Sequence, residues 1–243
     1  MSKGMGCMTE EIFRDNAYVK NCEATVTEVN EYGIQLDRTV FYPAGGGQPG
    51  DTGVLRTTTG AEVMIADTIH EKGTGIYLHV AAEGSPTLSV GDTVNAEIDW
   101  ERRYAHMRMH SGLHLLCAVV DGGVTGGSIG AAKSRLDFDL PDTSLDKEQL
   151  TMELNQLISE DHQVTCSAIT SEELIANPEL VRTMSVQPPT DAGSIRVIGI
   201  SDVDLQPCGG THVKSTKEIG QIRIGKIENK GKMNRRVNLS IND

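Results

Sequence analysis

Two short segments, far apart in the chain, carry side chains that could do chemistry: His106-Met107-Arg108-Met109-His110 and Cys208-Gly209-Gly210-Thr211-His212. Together they offer three imidazoles and one thiolate, a complete tetrahedral donor set for Zn²⁺. A spacing of four residues places both rings of the first pair on one face of a helix. The second pair follows Pro207 and spans two glycines, which predicts a loop that can bend its ligands inward. The fold must therefore bring a rigid helix and a distant loop together around one zinc per chain. Met107, not Glu, follows the first His, so the helix lacks the general base of a zinc protease.

His114 extends the helical ladder by one further step. Each step of four residues drifts by about 40°, which turns His114 away from the direction of His106. With two loop ligands completing the shell, His114 is expected on the pocket wall. Ser111 follows a ligand directly, and its hydroxyl is expected to touch substrate or the helix backbone. The segment Gly45-Gly46-Gly47-Gln48-Pro49-Gly50-Asp51 reads either as a plain turn or as a ligand-binding loop. Its three glycines permit close backbone approach, and Gln48 offers donors and an acceptor to a small polar group. No Lys-Ser/Thr follows the glycines, so it is not a phosphate-binding P-loop.

Four stretches, in order, carry a specific resemblance: Phe41 to Asp51, Arg103 to Leu116, Ser134 to Asp139, and Cys208 to His212. Their combination resembles the editing domain of alanyl-tRNA synthetases and, more closely, the free-standing alanyl-tRNA editing proteins of the AlaX family. The resemblance runs from about Met8 onward; Met1 to Cys7 do not match the family start and read as an alternative start or an added segment. It implies zinc ligands at His106, His110, Cys208 and His212. It also implies a substrate pocket near Gly45, Gly46, Gly47, Gln48, Asp51, Ser111 and His114, with no catalytic residue identified. The implied activity is trans-editing: hydrolysis of wrongly charged tRNA-Ala, with Ser-tRNA-Ala favoured, Gly-tRNA-Ala second and Ala-tRNA-Ala spared. Two other readings stay open: a related editing domain for threonyl-tRNA, and a non-catalytic RNA-binding module that zinc merely stabilises.

Composition bounds these readings. A chain of 243 residues with 38% hydrophobic content can bury one large core or two small ones. No run approaches the ~20 apolar residues of a membrane span, and no signal peptide is evident, so a cytoplasmic location is expected. Five cysteines, an odd number without a regular framework, point to thiols. The net charge of −12 counts against a polyanion as partner, although Gly225 to Arg236 holds five Lys/Arg against one Glu. Arg102, Arg103 and Arg108 add to the basic residues around the helix. An acidic total suits a brief encounter with tRNA.

The order of patterns predicts an α+β protein: a small N-terminal β-barrel (residues 1–95), then an α+β editing domain (96–243) with an antiparallel sheet and the zinc-binding helix. Alternating apolar residues mark barrel strands at Ala24–Val26, Ile34–Leu36, Val63–Ile65, Ile76–Leu78–Val80 and Val94–Ile98. Helices are expected from Glu101 to Val120 and from Leu145 to Asp161, the second capped by Asp146 with Gln149. Strands follow at Val164–Ile169 and Ser194–Ile200, and a last hairpin joins Gln221–Ile227 to Arg236–Ile241.

Overall fold

The computed structural model describes residues 9–71, 74–141, 145–183 and 194–242. Met1 to Cys7, and Lys72-Gly73 of one expected turn, lie outside the described residues. The fold is α+β, and the chain divides into two compact units: residues 1–45 with 49–103, and residues 46–48 with 104–243.

In the first unit, six antiparallel strands close into a barrel in the order β2-β3-β7-β6-β5-β8. They are β2 (Asn21–Asn30), β3 (Gly33–Leu36), β5 (Gly53–Thr57), β6 (Glu62–Glu71), β7 (Ile76–Ala81) and β8 (Thr93–Ile98); β1 (Glu10–Glu11) and β4 (Arg38–Thr39) form a short parallel pair, and a one-turn helix α1 (Ile12–Asp15) follows β1. Asn30 Oδ1 accepts the backbone N–H groups of Tyr32 and Gly33, and so closes the two-residue turn between β2 and β3. Ala24, Val26, Ile34, Leu36, Val63, Ile65, Val94, Ala96 and Ile98 fill the interior, as their alternation requires.

Strand β7 departs from expectation. Ile34 faces the core and pairs directly with His79, so His79 lies on the interior side of β7; Leu78 is also buried, Val80 is half-buried and Ala81 is exposed. That inward position is polar, so the apolar alternation of Ile76, Leu78 and Val80 does not mark it. His79 is fully buried and satisfied: its Nδ1 donates to the Ile34 carbonyl at 2.9 Å, and its Nε2 lies 2.8 Å from the Thr39 hydroxyl. A second polar pair is equally buried. Arg103 donates to the Asp51 carboxylate and to the carbonyls of Val40 and Ala17, and Asp51 also accepts from the Tyr42 N–H at 2.6 Å.

The second unit begins within helix α2 (Trp100–Val119), which is buried almost all round: Met107, Met109, Leu115 and Leu116 have no exposed surface. Its Gly112 packs on Ile222, Ile219 and Leu239, the last beneath the four-stranded sheet β14-β15-β10-β9. That sheet comprises β9 (Gly123–Ser128), β10 (Lys133–Asp139), β14 (Gln221–Gly231) and β15 (Asn234–Asn242). Helix α3 (Lys147–Ser159) buries Leu150, Leu154 and Ile158 and is capped by Asp146, which accepts the Gln149 N–H at 2.9 Å. The Gln149 side chain turns to Glu153 instead of completing a capping box. A second sheet, β11 (Val164–Thr170), β12 (Ser194–Ile200) and β13 (Asp204–Pro207), leads the chain into the Cys208 loop.

Candidate metal centre

Helix α2 presents His110 and His114 one turn apart, with ring centroids separated by 5.4 Å. The loop that leaves β13 sets Cys208 Sγ 3.5 Å from His110 Nε2 and 3.3 Å from His212 Nε2. The ligand atoms of His110, His114, Cys208 and His212 all lie within 4.8 Å of one another. A zinc tetrahedron with bonds of about 2.0–2.3 Å has edges of roughly 3.3–3.8 Å, so a small contraction would close these four donors on one ion.

The remaining ring nitrogens explain why the donors face inward. His110 Nδ1 donates to Gln48 Oε1 at 2.9 Å, and His114 Nδ1 donates to the buried Asp204 carboxylate at 3.1 Å. His212 Nδ1 lies 3.1 Å from Ser111 Oγ, which also accepts the Val213 N–H. An amide oxygen and a carboxylate can only accept, so Nδ1 of His110 and of His114 carries a hydrogen, and Nε2 is the nitrogen each neutral ring offers to a metal. Such outer partners fix the tautomer and orientation that a metal-binding imidazole needs. The Gln48 amide is itself held, because Oε1 accepts the Thr211 N–H and Nε2 donates to Thr211 Oγ1 at 2.8 Å.

Charge in the cluster is arranged for a cation. Burial raises the Cys208 thiol, but His110 and His212 beside it more than offset this and hold its pKa well below the usual 9.0. Burial and the neighbouring His110 push His212 down to about 3. His114 is raised to about 9: burial opposes its charge, and Asp204 and Cys208 override burial. A thiolate and imidazoles that can shed their protons are the forms a divalent transition metal binds.

The close approach also accounts for the loop sequence. A Cβ at Gly210 would stand 2.2 Å from His110 Cε1, so only glycine lets the backbone pass the ring. Gly47, with φ +83°, adopts a left-handed conformation that presents its carbonyl to the Ile129 N–H at 2.9 Å.

The four gathered side chains differ from the expected ligand set at one position. His106 is buried on α2 but is not among the four gathered side chains, and His114 takes its place. The helical drift that seemed to turn His114 away acts on the other member of the ladder, because the loop meets α2 one turn further on. Gly46, Gly47 and Gln48 belong to the same unit as the cluster, whereas Gly45 and Asp51 belong to the barrel unit. There the Gly45 carbonyl accepts from the Tyr42 hydroxyl at 2.9 Å, and Asp51 is committed to Arg103. Gln48 and Ser111, expected to face substrate, contact the rings of His110 and His212. Asp204, Thr211 and Arg196 were missed; the carboxylate four residues before Cys208 was the available signal, since ligating histidines seek such partners.

The basic segment near the C-terminus is also altered by the fold. Lys226 and Lys230 lie 3.3 and 3.6 Å from Glu228, Arg236 pairs with Asp137, and Arg235 is buried. Of the arginines around α2, Arg103 is buried against Asp51 and Arg108 donates to the Ile219 carbonyl. No helix among the described residues is long and apolar enough to cross a membrane.

Residues 195–238, which include Cys208 and His212, match the family model described as the threonyl and alanyl tRNA synthetase second additional domain. Residues 8–102 match that of class II (A) tRNA synthetases. The alanyl-tRNA editing protein AlaX-M of Methanosarcina mazei is 38% identical over 97% of this chain and 98% of its own. The chain belongs to the AlaX family of alanyl-tRNA editing proteins. AlaX-M of Saccharolobus solfataricus is 34% identical over 95% of this chain and 98% of its own. The alanine–tRNA ligase of Saccharolobus islandicus is 33% identical over 90% of this chain but only 25% of its own length. This chain thus spans nearly all of these AlaX-M relatives and about a quarter of the synthetase.

Proposed function

We propose that this protein is a trans-editing hydrolase that cleaves the ester between a wrong amino acid, serine first, and the 3′ end of tRNA-Ala. The observation that carries the proposal is the 38% identity, over nearly the full length of both chains, to a protein named alanyl-tRNA editing protein AlaX-M. The four-donor cluster supports it, and we assign one Zn²⁺ to His110, His114, Cys208 and His212. When bound, the metal supplies fixed positive charge and Lewis acidity at the pocket. Gln48, Ser111 and Asp204 keep the three imidazoles turned inward. The ester is already activated, so the site needs mainly to place a water and stabilise the developing oxyanion.

Alanine is smaller than serine and cannot be excluded by size. The pocket must reward the seryl hydroxyl, and a site built to bond that hydroxyl can reject an analogue lacking it by ~10⁴. The test is single-turnover deacylation by the purified protein. Rapid hydrolysis of Ser-tRNA-Ala with Ala-tRNA-Ala spared is expected. Comparable rates on the two would overturn the selectivity, and hydrolysis of neither would favour the non-catalytic RNA-binding module.

A further inference from the structure

Arg196 on β12 faces the ligand loop from the strand that pairs with β13. Its backbone carbonyl accepts the Cys208 N–H at 3.2 Å, continuing the β12–β13 ladder by one bond. Its side chain reaches further. One terminal nitrogen donates to the Cys208 carbonyl at 2.6 Å and to the Gly210 carbonyl at 3.0 Å. The two hydrogens of a single guanidinium nitrogen thus span the first three residues of the loop. We infer that Arg196 is a positioning residue for the metal centre: its clamp on two carbonyls sets the backbone conformation in which Cys208 and His212 meet the helix histidines.

The geometry gives the clamp a definite task. Gly209 and Gly210 carry no side chain to restrict the loop, so the unrestrained loop samples many backbone conformations. In the observed one, both carbonyls point at Arg196 and the Gly210 N–H points at Cys208 Sγ, 3.4 Å away. A carbonyl turned toward the sulfur would set its partial negative charge against the thiolate. Holding the carbonyls on a cation prevents that and leaves a donor facing the sulfur. The same conformation threads Gly210 past the His110 ring, where no Cβ would fit. Arginine suits this place because its planar fork stays charged and loses little freedom per bond.

The inference rests on the zinc reading of the site, and its test separates the two. Zinc affinity is measured by competition with a chromogenic chelator, and the Co²⁺-substituted protein is read by its visible absorption, which reports ligand geometry. Wild type is expected to bind one zinc; if it binds none, the reading of the site itself fails. Arg196→Met keeps the apolar stem without the donors and is expected to bind zinc about 10–100-fold more weakly, the loss typical of outer-shell partners. Its Co²⁺ bands should weaken, and low concentrations of free guanidinium should restore part of both signals, a rescue that a merely structural role would not give. Arg196→Lys, whose ammonium ends one bond short of the guanidinium nitrogen that spans the two carbonyls, should fall between. If Arg196→Met keeps wild-type affinity and spectrum, the clamp is refuted while the metal site stands. Should Arg196→Met fail to fold, wild-type affinity and spectrum in Arg196→Gln, which carries no charge and is too short to reach both carbonyls, refute it equally.

Discussion

Replacing Gln48 by alanine separates a ligand-orienting residue from a substrate-contacting one. In the structure Gln48 is 2% exposed and makes three hydrogen bonds, to His110 Nδ1, Thr211 N and Thr211 Oγ1. Gln48→Ala leaves two buried donors, the His110 ring N–H and the Thr211 amide, without acceptors. Each such orphan costs about 1–3 kcal/mol, and water entering the vacated space recovers part, so a loss near 3 kcal/mol is expected for the metal-free protein. Freed from its acceptor, His110 can rotate, and zinc affinity should fall by about 10–100-fold. Gln48→Glu, whose carboxylate accepts from the His110 ring and the Thr211 amide and can also accept from the Thr211 hydroxyl, should retain more of both. Thermal unfolding followed by circular dichroism and chelator competition measure the two effects. Unchanged melting and unchanged zinc affinity in Gln48→Ala would refute the orienting role and return Gln48 to the pocket wall.

Two further predictions concern the barrel, whose unfolding is reported by Trp100, the single tryptophan, packed against its core. Burial lowers the pKa of His79 from 6.5 to about 4, with the Ile34 bond opposing it. The unfolded chain therefore binds the proton first: stability from His79 is complete above pH 6.5 and is lost as pH falls toward 4, by about 3 kcal/mol. The stability difference between wild type and His79→Gln, from urea unfolding, should shrink over that window; a difference constant with pH would contradict the assignment. Asp51→Ala leaves the Arg103 guanidinium buried without its counter-charge and should destabilise the barrel by about 3–5 kcal/mol in the same assay. A loss below 1 kcal/mol would show that the pair is not buried as described.

Much of this was legible in the residues because local and tertiary demands agreed. Ala24, Val26, Val94 and Ala96 alternate, and they line the barrel. Asp146 precedes an apolar ladder, and it caps α3. Legibility failed where a polar residue took a buried place: the alternation of β7 did not mark His79 as buried, and nothing local showed that Asp51 is held by Arg103, 52 positions away. The hairpin of β9 and β10 was hidden by Gly122, Gly123, Gly126 and Gly127, which erase the apolar pattern of one strand. The metal centre was half legible. Residue types and spacing supplied the donors, but three histidines at four-residue steps cannot show which pair the loop will meet. That choice is made by β13, which delivers Asp204 to His114 and Cys208 to both rings.

The most direct measurement is therefore zinc content, by elemental analysis of metal-replete protein, for wild type, His114→Ala and His106→Ala, alongside a fold check by circular dichroism. The site described here predicts close to one zinc per chain in wild type and in His106→Ala, and loss of most of it in His114→Ala. Full zinc in folded His114→Ala together with its loss in His106→Ala would contradict the site.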